Sequence, residues 1–199
     1  MATKRLSSVE RRKQILGCAI RVFARNSYHG ATTRMISEEA GIAEALIYRY
    51  FGSKRKLFSA AVDHTGSRLV AGLQSILDTH PDEPLAALAA LLRFYVDLLE
   101  RHEELAKMIF LVSAELDDPE VREVYLPYQE RALSILKGAI ERWQAAGFVR
   151  DDVAPRAAAW VLLGSYQLLA LMKHSGRLDE LNLDVALALV RPFAAAPPS

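Results

Sequence analysis

The chain has 199 residues, 51% of them hydrophobic and 25% charged, which excludes a disordered polymer and allows one sizeable core or a small domain joined to a larger one. Its single cysteine, Cys18, excludes a disulfide framework and a cysteine-based zinc site, and fits a reducing compartment. The net charge of +1 hides a split: Met1 to Lys56 carries 12 Lys+Arg against 4 Asp+Glu, and the remainder carries 13 against 20. A basic head on an acidic body attracts a polyanion at one end only, although a basic stretch can also be a plain solvated face.

The opening residues lead into charges instead of an apolar run, so no secretory signal is expected. The longest uncharged stretch, Ala157 to Met172, has 16 residues and is too short to span a bilayer. It reads as a buried helix, and a cytoplasmic protein without a membrane partner is expected.

Strand signals are nearly absent, and helical signals run throughout. Ser7 and Glu10 form a capping-box pattern, and Ile15, Ala19, Val22 and Phe23 follow at helical spacing, so a first helix is expected from Ser8 to Arg25. Asn26-Ser27 closes it, with Asn26 able to take the left-handed conformation. Thr32 or Thr33 caps a short second helix through Ala40, and Gly41 stops it. A third covers Glu44 to Tyr50. Gly52-Ser53 breaks the chain, and Ser53 caps a long fourth helix that Pro81 to Pro84 end.

A fifth helix presents Leu85, Leu88, Leu92, Tyr95 and Leu99 on one face, and a sixth runs from Glu103 to Glu115. Asp117-Asp118-Pro119-Glu120 opens a seventh, which Pro127 is expected to kink or divide. Ala146-Gly147 ends it. Asp152 to Pro155 opens the apolar helix that reaches His174, with Gly176 beyond. Asn182 caps a last helix to Phe193.

The informative segment is Thr33 to Lys56. Two helices of two turns meet at Gly41, where glycine allows positive φ, and Ile36, Ala40, Ile42 and Ile47 hold them crossed. The unit is too small to fold alone, so Ile15, Ala19 and Phe23 of the first helix must cover it. This arrangement is a helix-turn-helix that offers its third helix to the major groove.

Phe23, Tyr28, Ala31-Thr32-Thr33, Ile36, Ala40-Gly41-Ile42, Ile47-Tyr48-Arg49-Tyr50-Phe51, Ser53-Lys54 and Leu57-Phe58 resemble the N-terminal domain of the TetR family of bacterial transcriptional regulators. The resemblance covers the first 60 residues or so without a gap. Three positions depart from the family pattern. Ser27 stands where glycine is usual, Ala43 replaces a Ser or Thr cap, and Leu46 replaces a frequent threonine.

The resemblance implies an all-α chain of about nine helices: a three-helix DNA-binding domain over residues 1–56, and a helical bundle over 57–199 for effector binding and dimerisation. Thr33 and Arg34 stand at a helix N-terminus suited to phosphate, and Tyr50 and Lys54 match family positions used on phosphate. Glu44, Ala45, Tyr48 and Arg49 are the base-facing set. Lys4 and Arg5 can reach a neighbouring groove. Against these readings, Tyr48 can be a core aromatic, Glu44 a dipole partner, and Arg55 and Lys56 solvated charge, while Phe51 and Phe58 read as core.

The C-terminal body has no motif of its own. Candidate effector-pocket residues are Phe94, Tyr95, Met108, Phe110, Tyr128, Trp143, Trp160 and Tyr166, although aromatics at helix spacing can be plain core. Ala157, Ala158, Val161, Gly164 and Leu168, with Leu183, Leu187 and Val190 from the last helix, are the candidate dimer face.

Five scattered histidines, no glycine-rich phosphate loop and no nucleophile elbow argue against an enzyme, and no cofactor or metal is expected. The acid runs at Asp117-Asp118 and Asp151-Asp152 read as helix caps. The expected function is a homodimeric repressor of a double-stranded DNA operator, released by a small, largely apolar effector. The alternatives are an activator, a regulator answering to a protein partner or, more distantly, an all-helical enzyme.

Overall fold

The computed structural model describes residues 6–180. Lys4, Arg5, Leu183, Leu187, Val190 and the helix expected from Asn182 to Phe193 lie outside the described residues. Those described form eight α-helices and a short 3₁₀ turn, Leu178–Glu180, with no strand among them. The helices are α1 (Ser8–Gly30), α2 (Thr33–Ala40), α3 (Glu44–Phe51), α4 (Lys54–Thr79), α5 (Pro84–Arg101), α6 (Glu103–Ala114), α7 (Pro119–Ala145) and α8 (Pro155–His174).

Local chemistry sets most of these bounds. Ser7 accepts from the Glu10 backbone N–H, and the Glu10 carboxylate accepts from the Ser7 N–H, so the capping box forms. The Thr32 hydroxyl accepts from the Met35 N–H at 3.1 Å, and Gly41 ends α2 with φ 62°. Ser53 accepts from the Lys56 N–H at 3.1 Å. Asp118 Oδ1 accepts from the N–H groups of Glu120 and Val121 and opens α7. The second acid pair behaves differently: Asp152 pairs with Arg150, and Ala154 precedes α8 without a side-chain cap.

The chain divides into two compact units. The first holds the described residues up to Gly66 together with Glu103–Leu126, and the second holds Ser67–His102 with Pro127 onward. The boundary expected after Lys56 falls inside the first unit. The reason is the opening of α4, where Leu57, Phe58 and Ala61 are fully buried and complete the core begun by Ile15, Phe23, Ile36 and Ile47. Within the same unit α6 packs along α1.

In the second unit Leu73 and Leu77 of α4, Leu91 of α5, Leu133, Leu136 and Trp143 of α7 and Ala159 of α8 form one core. The Trp143 indole N–H donates to the Pro81 carbonyl at 2.9 Å, which satisfies the one polar atom of a buried ring. Two expectations change here. The buried face of α5 is Ala87, Leu91, Tyr95, Leu98 and Leu99, while Leu85 is 60% exposed. Residues 85–92 are apolar all round, so leucine spacing did not define the side, and the small Ala87 takes the inner position. Pro127 does not divide α7, which stays helical on both sides of it.

Candidate nucleic-acid interface

The geometry of the head follows from α1. Ile15, Ala19 and Phe23 are buried, as are Ile36, Ala40 and Ile47, while Ile42 is partly covered, and α2 packs against both α1 and α3. Polar ties add to this packing. Arg21 Nε donates to Glu39 Oε1 at 2.5 Å and Arg25 to Glu39 Oε2 at 3.1 Å, and the Gln14 amide donates to the Ala40 carbonyl at 3.0 Å, one of the acceptors left open where α2 ends. The Glu39 carboxylate holds the Arg21 guanidinium above its ordinary pKa. Phe51 and Phe58 are core as expected, and Phe58 meets Phe23 edge-on with centroids 5.1 Å apart.

The turn after α1 departs from expectation. The left-handed residue is Ser27 (φ 60°, ψ −178°), not Asn26. Asn26 uses its side-chain amide on the Val22 carbonyl at 2.9 Å, and the chain resumes helical turns as far as Gly30. A non-glycine residue in that region of φ/ψ space is strained.

Helix α3 turns Ile47 and Phe51 inward and leaves Ala45, Tyr48 and Arg49 exposed. Tyr48 is 49% exposed, so it is not a core aromatic. Glu44 begins the helix, half-buried, and Ala43 before it gives no side-chain cap. The Thr33 hydroxyl, expected at phosphate, is buried and donates to Glu44 Oε1 at 2.5 Å. The Tyr48 hydroxyl lies 3.1 Å from the same Thr33 oxygen. Arg34 is exposed and donates to Glu38 at 3.0 Å one turn on, a solvent-screened pair that exchanges readily for another anion.

Tyr50 and Lys54 are half-buried. The Lys54 ammonium stands 4.6 Å from the centroid of the Tyr28 ring, a cation–π arrangement. Burial lowers the Lys54 pKa, and the carboxylates of Glu115 and Glu120 oppose that shift without cancelling it. Around this lysine the first unit gathers acids whose run in the sequence reads only as a helix start. The Tyr28 N–H donates to Glu115 at 3.0 Å and its hydroxyl to Glu120 at 2.7 Å. His29 pairs with Asp118 at 2.8 Å, and Arg55 pairs with Glu123 and Glu120. Arg55 is therefore not merely solvated. The dense acid run from Asp117 to Glu123 was the available signal for this cluster.

The candidate pocket residues separate. Met108 and Phe110 belong to the first unit, with Met108 fully buried and its sulfur 3.9 Å from the buried Thr65 hydroxyl, which donates to the Ala61 carbonyl at 2.9 Å. Phe94, Tyr95, Tyr128, Trp143, Trp160 and Tyr166 belong to the second. Tyr95 and Tyr166 are buried with ring centroids 5.1 Å apart, and Phe94 stacks beside Tyr95 at 5.7 Å. Trp160 instead lies on the open side of α8, 46% exposed, beside Ala157, Val161, Gly164 and Leu168. Ala158 faces the core of its own unit.

A short, glycine-broken helix pair braced by a third helix, with the second member of the pair open to solvent and basic residues around it, defines a helix-turn-helix DNA-binding protein. Residues 15–61 match the model of the bacterial regulatory proteins of the tetR family. The transcriptional activator FasR of Mycolicibacterium smegmatis is 33% identical over 53% of this chain and 48% of its own length, so the match spans about half of that relative. The transcriptional repressor NicS of Pseudomonas putida is 29% identical over 71% of this chain and 67% of its own. The crystal structure of FadR from Bacillus subtilis, in complex with stearoyl-CoA, superposes with a TM-score of 0.74 at 21% identity, covering 91% of this chain and 98% of that one, which extends the fold likeness well beyond the head. The head over residues 15–61 is that of the bacterial regulatory proteins of the tetR family, and the relatives that the chain resembles are helix-turn-helix transcription regulators.

Proposed function

We propose that the chain is a homodimeric, sequence-specific repressor, held on a palindromic operator and released by a small, largely apolar ligand. The observation that carries the dimer is the open side of α8. Ala157, Trp160, Val161, Gly164, Leu168 and Leu171 are all exposed, all uncharged, and recur at i, i+3, i+4, i+7, i+11 and i+14. Among the described residues, nothing lies within 4 Å of a Cβ added at Gly164. An apolar stripe of that length is costly in water and supports burial against a second copy. Leu183, Leu187 and Val190 would join it.

In this reading Arg34, Tyr50 and Lys54 take phosphate, with the backbone N–H groups at Thr33 assisting, and Ala45, Glu44, Tyr48 and Arg49 meet base edges. Lys4 and Arg5 reach an adjacent groove. The paired Tyr95 and Tyr166 and the adjoining Phe94 support an apolar effector site in the second unit, and the stearoyl part of the stearoyl-CoA in the FadR complex is an apolar chain of the kind such a lining would suit. A cytoplasmic location follows from this role, since the operator is there. FasR favours a second reading, an activator with the same DNA contacts.

Sedimentation of the purified chain tests the dimer. Wild type sediments as a dimer, and Val161→Arg sediments as a folded monomer with weakened operator binding. A wild-type monomer at micromolar concentration would remove this reading.

A further inference from the structure

The hydroxyl of Thr33 sits between two side chains of the exposed helix α3. It lies 2.5 Å from Glu44 Oε1 and 3.1 Å from the Tyr48 phenol oxygen, and it is buried, while Tyr48 stands 49% in solvent. Proton counting fixes the direction of both bonds. A threonine hydroxyl carries one proton, and a carboxylate only accepts. The Thr33 proton therefore goes to Glu44, and the contact with Tyr48 is made by the tyrosine proton donating to the Thr33 oxygen. The result is a one-way relay, Tyr48 to Thr33 to Glu44.

The relay sets what the outer edge of the helix offers. Tyr48 directs its only hydroxyl proton inward, so its phenol oxygen faces solvent as an acceptor. Glu44 keeps Oε2 as a second acceptor, its side chain fixed through Oε1. In the major groove, the groups that match an acceptor are the exocyclic amines, N4 of cytosine and N6 of adenine. The keto oxygens of guanine and thymine and the N7 of the purines do not match.

We infer that Thr33 is a positioning residue that holds Glu44 and Tyr48 as an acceptor-only pair, and that this pair selects cytosine or adenine amino groups in each half-site. The inference rests on α3 being the base-reading helix. Threonine thereby serves sequence discrimination through two neighbours and not phosphate through its own hydroxyl. Without the Thr33 hydroxyl, Tyr48 regains a proton to donate and Glu44 loses its fixed rotamer, so keto-bearing bases become acceptable.

The test is selection from a random duplex library with the full chain and with Thr33→Val, Thr33→Ser, Glu44→Ala and Tyr48→Phe. The positions read by the pair are those whose preference Glu44→Ala changes. Wild type selects cytosine or adenine there. Thr33→Val lowers that preference by about tenfold, within the range of one good base contact, while its affinity for unselected duplex stays within about twofold of wild type. Thr33→Ser restores the preference, which a purely structural role for the threonine would not require. Should Thr33→Val fail to fold, Tyr48→Phe on the solvent side carries the same expectation. A Thr33→Val or Tyr48→Phe protein that selects the wild-type motif with undiminished preference overturns the relay and leaves DNA reading by α3 standing. Guanine or thymine at the assigned positions in the wild-type motif also overturns it. A wild type that selects no motif overturns both.

Discussion

The phenol of Tyr28 donates to Glu120 Oε2 across 2.7 Å, which ties the last turn of α1 to the first turn of α7. Ninety-two positions separate the two in sequence. The same tyrosine ring lies under Lys54 and against Phe58, so one side chain touches α4 and α7 from its place in α1. The helix-turn-helix is thus braced by the segment between α6 and α7, and its stability depends on that segment.

Tyr28→Phe removes the hydroxyl and keeps the ring. A hydrogen bond to a charged acceptor contributes about 1.5–3 kcal/mol, less where the acceptor is partly solvated as Glu120 is, so the loss expected is about 1–2 kcal/mol by urea denaturation. Burial first, then the bond to Glu120, pushes the Tyr28 pKa from 10.0 up to about 12. Below the unfolded pKa both states hold the proton and the stabilisation is complete. As pH rises from 10 to 12 the unfolded chain loses the proton that the folded chain keeps, so stability falls through that window. Tyr95, also pushed to about 12 by burial, contributes a similar slope in both proteins. Denaturation midpoints should therefore fall less steeply above pH 10 in Tyr28→Phe than in wild type.

Ser27→Gly should stabilise the chain. The present conformation belongs to a region that is essentially glycine's own, at a cost of about 1–3 kcal/mol. Glycine gives back roughly 0.5–1 kcal/mol as unfolded-state entropy. The net expectation is a rise of about 0.5–2 kcal/mol in thermal or urea unfolding, and a fall would show that Ser27 is not strained.

Ala43→Ser should also stabilise, by roughly 0.5–2 kcal/mol, because α3 begins without any side-chain cap. Hydrogen exchange in the first turn of α3 should slow in the variant. No change in either would mean that packing of Ile47 and Phe51 already holds that turn closed.

Gly72→Ala behaves unlike an ordinary helix substitution. A Cβ at Gly72 would stand 2.4 Å from Phe94 Cζ, so the ring must move. Alanine normally gains about 1 kcal/mol over glycine inside a helix, and overpacking costs about 1–3 kcal/mol. The variant should be no more stable than wild type, while the same change in a Phe94→Ala background should stabilise by about 1 kcal/mol. Equal effects in the two backgrounds would show that the ring does not depend on Gly72.

What the sequence made legible follows from range. The capping box at Ser7 and Glu10, the left-handed Gly41 and the Ser53 cap act within a few residues, so the start of α1, the end of α2 and the start of α4 are legible in the residues alone. Ser27 was hidden because asparagine is the better left-handed residue, and only the structure shows the Asn26 amide engaged with Val22. The α5 face was hidden because a helix that is apolar all round carries no directional pattern. Glu115 and Glu120 were visible as acids but not as partners of Tyr28, since nothing local marks a contact across α2 to α6. Thr33 stands at the helix end that its sequence position predicts, and its hydrogen bonds to Glu44 and Tyr48 on α3 leave no local mark in the sequence.

The central claim is that two copies of this chain read an inverted repeat through α3. Selection of duplexes from a random library by the purified full chain tests it most directly. The expected result is one motif with twofold symmetry, its half-sites separated by about one helical turn, 10–10.5 base pairs, or a multiple of that, and with affinity falling steeply as salt rises. Recovery of duplexes that share no motif, or of a motif without symmetry, would contradict it.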